Sequence, residues 1–421
     1  MNRSSPPYPD PVHAPGRPAT GSAVAEGLGQ APVVRYWDTL LEQAVNWGAS
    51  DIHLEPQAHG LRVRLRIDGR LREVAGPDVS LREALVSRIK VLAKLDIAEK
   101  RQPQDGHISA TLTGQSRQVA LRISTLPTIH GEKVVARLLE QAANSLLLAQ
   151  IGLEPEQHEA LQHALAQAHG MILVTGPTGS GKTVTLYSCL QQLNRPDRNI
   201  STVEDPAEIR LEGITQVNIN DKAGLDFPSV MRAMLRQDPD IIMVGEVRDS
   251  QTADIAIKAA QTGHLVLSTL HTKDAPSTLT RLVHMGIPAY QVASSVSLIC
   301  AQRLLRRLCD RCKAPAMAPA LDRPQLDRNH RTRFRAVGCD ACVGGYKGRV
   351  GVFQVLPITE EIARAMLRGE SPLAIGQLAQ AAGTLTLRQA ATRKADAGLT
   401  SWEEVCSQTA ADPSGDTGEP T

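Results

Sequence analysis

The sequence has few aromatic residues and almost no net charge. Phe, Trp and Tyr make up 3% of the 421 residues, and the formal net charge at pH 7 is +2. Proteins that bind single-stranded nucleic acid usually stack bases on exposed aromatic rings, and nucleic-acid-binding domains usually carry a basic patch. The composition therefore gives little support to nucleic-acid binding.

Long apolar runs are also missing. No segment approaches the roughly 20 apolar residues that a membrane-spanning helix needs, and the N-terminus has no apolar core that would suit a signal peptide. We therefore expect a soluble, cytoplasmic protein. At 421 residues the chain should hold two or three domains.

Cysteine is scarce, but four of the seven cysteines form two Cys-x-x-Cys pairs: Cys309 with Cys312, and Cys339 with Cys342. In a cytoplasmic chain this spacing favours a metal-binding site over a disulfide. Four thiolates suit a closed, structural Zn²⁺ site, with 314–335 looping out as an arm. Two independent redox pairs are the alternative, and the twin spacing favours zinc. The other cysteines are expected to be buried thiols: Cys189, Cys300 and Cys406.

One glycine-rich stretch lies between an apolar run, 171–175, and a segment that can continue as a helix, 184–190. Its residues are Gly176, Pro177, Thr178, Gly179, Ser180, Gly181, Lys182 and Thr183. In such a loop backbone N–H groups face phosphate oxygens, Lys182 can reach the outer phosphates, and the Thr183 hydroxyl can ligate Mg²⁺. A glycine-rich turn with an exposed lysine would explain neither the Lys-Thr pair nor the flanks. The stretch predicts nucleotide binding.

Periodicity and composition predict an α/β protein, with alternating strands and helices around the phosphate loop as in a parallel, doubly wound sheet. In the preceding domain Arg62, Arg64 and Arg66 alternate with apolar residues, and we interpret them as a solvated sheet face. The predicted segments are a disordered stretch at 1–30, an N-terminal α+β domain at 31–145, a nucleotide-binding core at 150–305, a zinc module at 306–355, a helical region at 356–408 and a disordered tail at 409–421.

Two acidic residues follow predicted strands of the core. Glu204 follows the strand at 199–203, and Glu246 follows the strand at 240–244. Functional residues cluster where such strands end, and an acid there can hold Mg²⁺ or polarise the attacking water. Two acids beside a phosphate loop favour a catalytic role for both. Which of the two is the general base stays open.

Two histidines bracket a third predicted strand at 265–269. His264 precedes the strand and His271 follows it. Either could sense the γ-phosphate or satisfy a hydrogen bond of the core.

The order of four motifs resembles the type II secretion and type IV pilus assembly ATPases. In that family they are called Walker A, Asp box, Walker B and His box, and here they lie at 176–183, 202–206, 235–249 and 262–272. The likeness extends from about Trp37 to about Val405. It includes the stretches 48–53 and 122–128 and the four paired cysteines.

This resemblance implies a RecA-like ATPase core, a PAS-like N-terminal domain, a tetracysteine zinc module and a helical C-terminus. It also implies a homo-hexameric ring that uses ATP, Mg²⁺ and Zn²⁺. Domain rotations in such a ring act on an inner-membrane platform protein, which adds pilin-like subunits to a filament. The expected location is the inner face of the bacterial inner membrane, reached through partners. The zinc module favours an assembly motor over a retraction motor.

The same resemblance assigns roles to two arginine pairs. Arg122 and Arg137 match arginines that reach the γ-phosphate from the N-terminal domain, and Arg232 and Arg236 match a second pair near the site. Whether the first pair serves its own chain or a neighbour stays open. Many assembly motors carry a further N-terminal domain that docks on a membrane partner, and we expect this chain to lack it.

The competing hypothesis is a zinc-bearing, RecA-like nucleic-acid translocase or DNA-uptake motor, because RecA-like cores and zinc modules both occur in such proteins. The low aromatic content and the small net charge weigh against it. The sequence also leaves open which filament such an assembly motor would build.

Overall fold

The structure is a computed structural model that describes residues 31–112, 118–139, 147–316 and 333–411. The predicted stretch at 1–30, most of the predicted arm and the end of the predicted tail lie outside these residues. Among the helices in the described ranges, none has the length and apolar character needed to cross a bilayer.

The N-terminal part is an antiparallel sheet with two helices on one face. In chain order its elements are α1 Pro32–Asn46, β1 Ala49–Gln57, β2 Gly60–Ile67, β3 Arg70–Val74, α2 Arg82–Leu92, β4 Gln104–Thr111, β5 Gln118–Thr128 and β6 Gly131–Leu139. The strand order is β3-β2-β1-β6-β5-β4. Trp37 and Leu41 of α1 and Leu85 and Ile89 of α2 share one hydrophobic core with the sheet. Because the helices cover one face, the charged residues lie on the other.

The sequence led us to expect that the arginines of β2 are solvated, but the structure shows that they also form ion pairs. Arg62 and Arg64 form ion pairs with Glu55 at 3.1 and 2.8 Å, and Arg66 lies 3.6 Å from Asp51. Both carboxylates belong to β1, which pairs with β2. The alternation showed correctly that the arginines share a face, but the acids on the neighbouring strand were needed to show what they contact.

The second part is built on a seven-stranded sheet. Its elements in chain order are α3 Pro155–Leu165, β7 Gly170–Thr175, α4 Lys182–Leu193, β8 Ile200–Glu204, β9 Thr215–Asn218, α5 Phe227–Met234, β10 Ile241–Val244, α6 Ser250–Gln261, β11 Leu265–Leu270, α7 Ala275–His284, α8 Ala289–Ser295, β12 Val296–Leu308, β13 Ala314–Pro315, β14 Phe334–Arg335, β15 Tyr346–Pro357, α9 Glu360–Leu367, α10 Pro372–Ala381, α11 Leu387–Asp396 and α12 Trp402–Gln408.

The large sheet has the order β15-β12-β7-β11-β10-β8-β9. From β12 to β9 all neighbouring strands are parallel, and β15 joins β12 antiparallel at the edge. Separate hydrophobic clusters cover the two faces, because helices pack on both sides of a parallel sheet. The predicted α/β class with a doubly wound parallel sheet is confirmed.

The segment predicted as a separate zinc module is continuous with this sheet. Strands β12 and β15 pair along their length, and the cysteine pairs lie in the connection between them. The predicted bounds at 306 and 355 therefore fall inside strands. The short sheet of β13 and β14 is part of the same connection.

Candidate functional site

The glycine-rich loop connects β7 to α4, as its flanks predicted. Gly176, Gly179 and Gly181 have φ of 149°, 78° and 86°, which L-residues other than glycine rarely adopt. A Cβ at Gly176 would also lie 2.5 Å from the carbonyl oxygen of Gln302. The loop therefore needs glycine for its conformation and for its close approach to β12.

Lys182 begins α4 and is buried in the loop. Its Nζ donates hydrogen bonds to the carbonyl oxygens of Gly176 and Pro177 at 2.9 and 3.1 Å. Burial lowers the pKa of Lys182, while the nearby Glu246 carboxylate opposes this shift. The ammonium is thus held inside the loop, at the place where the outer phosphates of a nucleotide would lie.

A cleft between the two parts of the chain brings together many of the predicted residues. From the core it is lined by Thr178, Gly179, Gly181, Lys182, Thr183, Glu204, Glu246 and His271, and from the N-terminal part by Asp51, Arg66 and Arg137. Residues 339–343 of the cysteine-bearing connection and residues 346–351 at the start of β15 also line it. The backbone N–H of Gly348 in β15 donates a hydrogen bond to the Asp68 carboxylate of the N-terminal part at 3.0 Å.

Glu204 ends β8 and is buried at 4% exposure. Three groups donate hydrogen bonds to its carboxylate: the hydroxyl of Thr202 at 2.6 Å, the amide of Gln216 at 3.1 Å and the hydroxyl of Tyr187. Burial raises the pKa of Tyr187, and the bond to Glu204 adds to the shift. Glu204 thus has hydrogen bonds to both carboxylate oxygens and links β8 to the helix after the phosphate loop.

Glu246 follows β10 and has a more open position, with 19% of its side chain exposed. It forms an ion pair with Arg248, and its carboxylate lies 3.5 Å from Nε2 of His271. It is also close enough to Lys182 to affect the pKa of that lysine. Of the two predicted acids, Glu246 therefore has the carboxylate that faces the open cleft.

Sequence reasoning missed Glu208, which lies in the same cleft. Its backbone N–H donates to the Tyr187 hydroxyl at 3.2 Å. Desolvation in the cleft raises the pKa of Glu208, Arg137 lowers it, Glu204 raises it, and the Thr183 hydroxyl and Arg122 lower it. The carboxylate therefore lies between the phosphate loop and the N-terminal arginines. The sequence feature that could have pointed to Glu208 is its position four residues after Glu204, just beyond the end of the same strand.

Arg122 and Arg137 are directly opposite each other on β5 and β6, so their side chains share one face of the sheet. Arg137 also pairs in register with Asp51 on β1, and its Nε donates to Asp51 Oδ1 at 2.9 Å. Both arginines are near enough to Glu208 to lower its pKa. The hairpin thus brings the two predicted arginines to the cleft side together.

The structure separates the two predicted histidines. His271 follows β11 on the side of the phosphate loop and faces Glu246. His264 precedes β11, and its Nδ1 lies 3.0 Å from the carbonyl oxygen of Ala259. Since β11 runs parallel to β7, His264 lies at the opposite end of a six-residue strand, about 20 Å from the loop at roughly 3.3 Å per residue. This placement contradicts phosphate sensing by His264 within its own chain and favours the hydrogen-bonding alternative.

Arg232 and Arg236 are exposed on and just after α5. Nη1 of Arg236 donates to the carbonyl oxygen of Arg232 at 2.8 Å. Within the described ranges, neither side chain lines the cleft of its own chain.

The four paired cysteines form a group that could hold a metal ion. Their sulfurs lie within 4.8 Å of one another, with separations of 3.9 Å for Cys309 to Cys339 and 3.7 Å for Cys312 to Cys342. A tetrahedral zinc site with Zn–S bonds of about 2.3 Å has sulfur separations of about 3.8 Å. The arrangement is compatible with zinc.

The other cysteines divide differently from our expectation. Cys189 and Cys300 are buried as predicted, and burial raises the pKa of Cys189 to about 12. Cys406 is exposed, so the prediction for it is wrong. It lies on the exposed side of α12. In a helix this short, the sequence pattern does not show which side packs against the rest of the protein.

Comparisons with known proteins agree on one family. The model of the family described as "Type II/IV secretion system protein" matches residues 26–407. A type IV pilus assembly ATPase, PilB of Acinetobacter baylyi, is 48% identical over 385 residues, which are 89% of this chain and 66% of that protein. The type II secretion system protein E of Pectobacterium carotovorum is 45% identical over 377 residues, which are 89% of this chain and 75% of that protein.

Among solved structures, the ATPase DotB of Legionella pneumophila aligns with a TM-score of 0.66 at 21% identity, over 91% of this chain and 96% of that one. This likeness shows a shared fold. The chain spans about two thirds of the length of the pilus assembly ATPase that it matches.

Proposed function

The chain belongs to the type II/IV secretion system protein family and is an ATPase of that family, and we propose that it works as a hexameric motor for building a type IV pilus or a type II secretion pseudopilus. The observation that carries this proposal is the single cleft in which Lys182, Thr183, Glu246 and Arg137 lie together. These side chains carry the charges and the hydroxyl that phosphoryl transfer from ATP needs.

Each core residue has a distinct task in ATP hydrolysis. Lys182 leaves the carbonyls of the loop and binds the outer phosphates. The Thr183 hydroxyl, and Glu246 through water, would hold Mg²⁺, whose charge would offset the charge of the phosphates. Glu246 also orients the attacking water, because its carboxylate faces the cleft and is only partly buried. Glu204 holds the strand end in place through Tyr187 and Gln216.

The N-terminal part supplies positive charge that the core lacks at this place. Arg122 and Arg137 approach the γ-phosphate when the two parts of the chain close, and this makes hydrolysis depend on domain motion. Arg232 and Arg236 are exposed and away from their own cleft, so in a ring they act at a neighbouring subunit. Arginines that act in this way elsewhere change hydrolysis rates by roughly 10³ to 10⁵.

The cysteine group binds one structural Zn²⁺. Four thiolates close the coordination shell and leave no position for substrate. Through such an ion the four cysteines would hold together the connection between β12 and β15, part of which lines the cleft.

The motor acts on a platform protein at the inner face of the inner membrane. This protein would transmit the domain motion of the ATPase to the filament. The names of the relatives give no support to the nucleic-acid translocase.

The decisive experiment measures phosphate release by the purified protein with Mg²⁺ and ATP, alone, with anionic phospholipid vesicles that carry the platform protein, and with double-stranded DNA. We expect stimulation by the vesicles. Stimulation by DNA alone would reject the assembly function.

Scoring surface pili and secreted proteins in a deletion strain decides between the two machines. Loss of pili alone identifies the pilus, and loss of secretion alone identifies the pseudopilus.

A further inference from the structure

The carboxylate of Asp51 holds one side of the Arg137 guanidinium. Asp51 lies directly opposite Arg137 on β6 and opposite Arg66 on β2, so the three side chains share the charged face of the sheet. Nε of Arg137 donates to Oδ1 at 2.9 Å. Within the described ranges, Nη1 and Nη2 of Arg137 donate no hydrogen bond.

The second oxygen of this carboxylate is anchored by other groups. The hydroxyl of Ser50 donates to Oδ2 at 2.8 Å, and Nε of Arg66 lies 3.6 Å from it. Asp51 itself is buried, with 5% exposure. The Asp51 carboxylate is therefore held on the sheet by contacts that do not involve Arg137.

Arg137, in contrast, keeps 53% of its side chain exposed and lines the cleft with Lys182 and Thr183. Its Nε is bound to Asp51 at the sheet, while Nη1 and Nη2 make no hydrogen bond among the residues that the structure describes. A guanidinium binds a phosphate through two parallel N–H groups, and Nη1 and Nη2 remain available for this.

We propose that Asp51 is a positioning residue that orients Arg137 for the γ-phosphate of ATP. The inference rests on the proposed role of Arg137. A free arginine loses rotamer entropy when it is fixed, and Asp51 removes part of that freedom before the cleft closes. A displacement of about 1 Å in a catalytic group can lower the reaction rate steeply. Loss of the Asp51 carboxylate should therefore lower the rate of ATP hydrolysis more than the affinity for nucleotide.

The chain offers a matched control in Glu55, on the same strand and face. Glu55 is 6% exposed and binds Arg62, Arg64 and Lys133 at 3.1, 2.8 and 3.0 Å. It does not line the cleft within the described ranges. A role in holding the sheet together applies to both acids, and a role in catalysis applies to Asp51 alone.

The test is a double-mutant cycle on assembled, full-length protein. Asp51→Asn should lower kcat by about 10- to 100-fold with a smaller change in KM, and Glu55→Gln should change kcat by less than about twofold. Affinity for a fluorescent ADP should stay constant in Asp51→Asn, because ADP has no γ-phosphate. Asp51→Glu, which keeps the charge, should recover part of the lost rate. In an Arg137→Ala background, Asp51→Asn should have no further effect.

Two results would overturn the inference: wild-type kcat in Asp51→Asn, or the same loss of kcat with and without Arg137. If Arg137→Ala itself hydrolyses ATP at the wild-type rate, the role proposed for Arg137 fails as well. If Arg137→Ala is slow and Asp51→Asn is not, only the positioning role is wrong. Should Asp51→Asn fail to assemble, Ser50→Ala removes one hydrogen bond of the same carboxylate. It should lower kcat by about threefold, and no loss would reject the proposal.

Discussion

The hydroxyl of Tyr187, on the helix that follows the phosphate loop, donates a hydrogen bond to the buried carboxylate of Glu204 at the end of β8. The same hydroxyl accepts the backbone N–H of Glu208 at 3.2 Å. One phenol thus joins the helix after the phosphate loop to the end of β8 and to the segment that follows it.

The two predicted acids differ in surroundings, and this gives a test of their roles. We expect both Glu246→Gln and Glu204→Gln to bind ATP. Hydrolysis should slow by about 10² or more in Glu246→Gln, because this carboxylate takes part in the chemical step, and by less in Glu204→Gln, because Glu204 acts by holding the strand end. Glu204→Gln should also lower the melting temperature, because Thr202 and Gln216 donate to one carboxylate oxygen and Tyr187 donates to the other, and an amide nitrogen cannot replace the second acceptor. Single-turnover hydrolysis, nucleotide binding and thermal unfolding measure these effects. An acid whose variant hydrolyses ATP at the normal rate is structural.

Lys182→Ala should abolish hydrolysis, because the lysine supplies the charge that the outer phosphates need. Lys258→Ala is the control, since Lys258 is exposed and, among the residues that the structure describes, forms its ion pair with Asp254 on its own helix. Steady-state phosphate release and circular dichroism of both variants make the comparison. Wild-type turnover by a folded Lys182→Ala protein would remove the central assignment.

One Zn²⁺ should bind per chain, and Cys312→Ser or Cys339→Ser should weaken it, because the closed shell of four thiolates is lost. Cys406→Ser should leave zinc content unchanged, since this thiol is exposed and outside the group. Elemental analysis of anaerobically purified protein gives the stoichiometry. Protein without zinc would count decisively against the site.

Replacing both Arg122 and Arg137 with alanine should slow hydrolysis by roughly 10³ or more, as for other catalytic arginines. Mixing this chain with a Glu246→Gln chain tests the geometry. Mixed rings regain activity only if the arginines act across subunits. Wild-type turnover by assembled rings of the double variant would disprove the closure mechanism.

Glu55 should make stability depend on pH. Burial raises the pKa of Glu55, but hydrogen bonds from Arg64 and Lys133 outweigh it and lower the pKa from 4.5 to about 2. A lowered folded-state pKa stabilises the protein above the unfolded value, and this contribution is lost as the pH falls from about 4.5 towards 2. Glu55→Gln should therefore reduce the free energy of unfolding at pH 7 by on the order of 2 kcal/mol, with a smaller difference near pH 3. Urea unfolding at the two pH values measures it. An equal difference at both would contradict the prediction.

Much of the core could be predicted because its strands are short, apolar and buried. The strand predicted at 265–269 is found at Leu265–Leu270, and the one predicted at 240–244 at Ile241–Val244. A buried parallel strand is an unbroken apolar run, so its limits can be seen locally. His264 and His271 are equally near such a strand, and only the direction of β11 against β7 separates them.

The sequence by itself determined the features that depend on neighbouring residues. The glycines of the phosphate loop adopt left-handed backbone conformations that only their own residue type permits readily, and the twin Cys-x-x-Cys spacing predicted a group of four sulfurs. The tertiary structure alone decided what the charged residues contact. Asp51 and Arg137 are 86 residues apart in the chain, and they meet because the order and register of β1 and β6 place them opposite each other. Many strand orders are compatible with the same alternating pattern, and burial of the apolar face against α1 and α2 selects one of them.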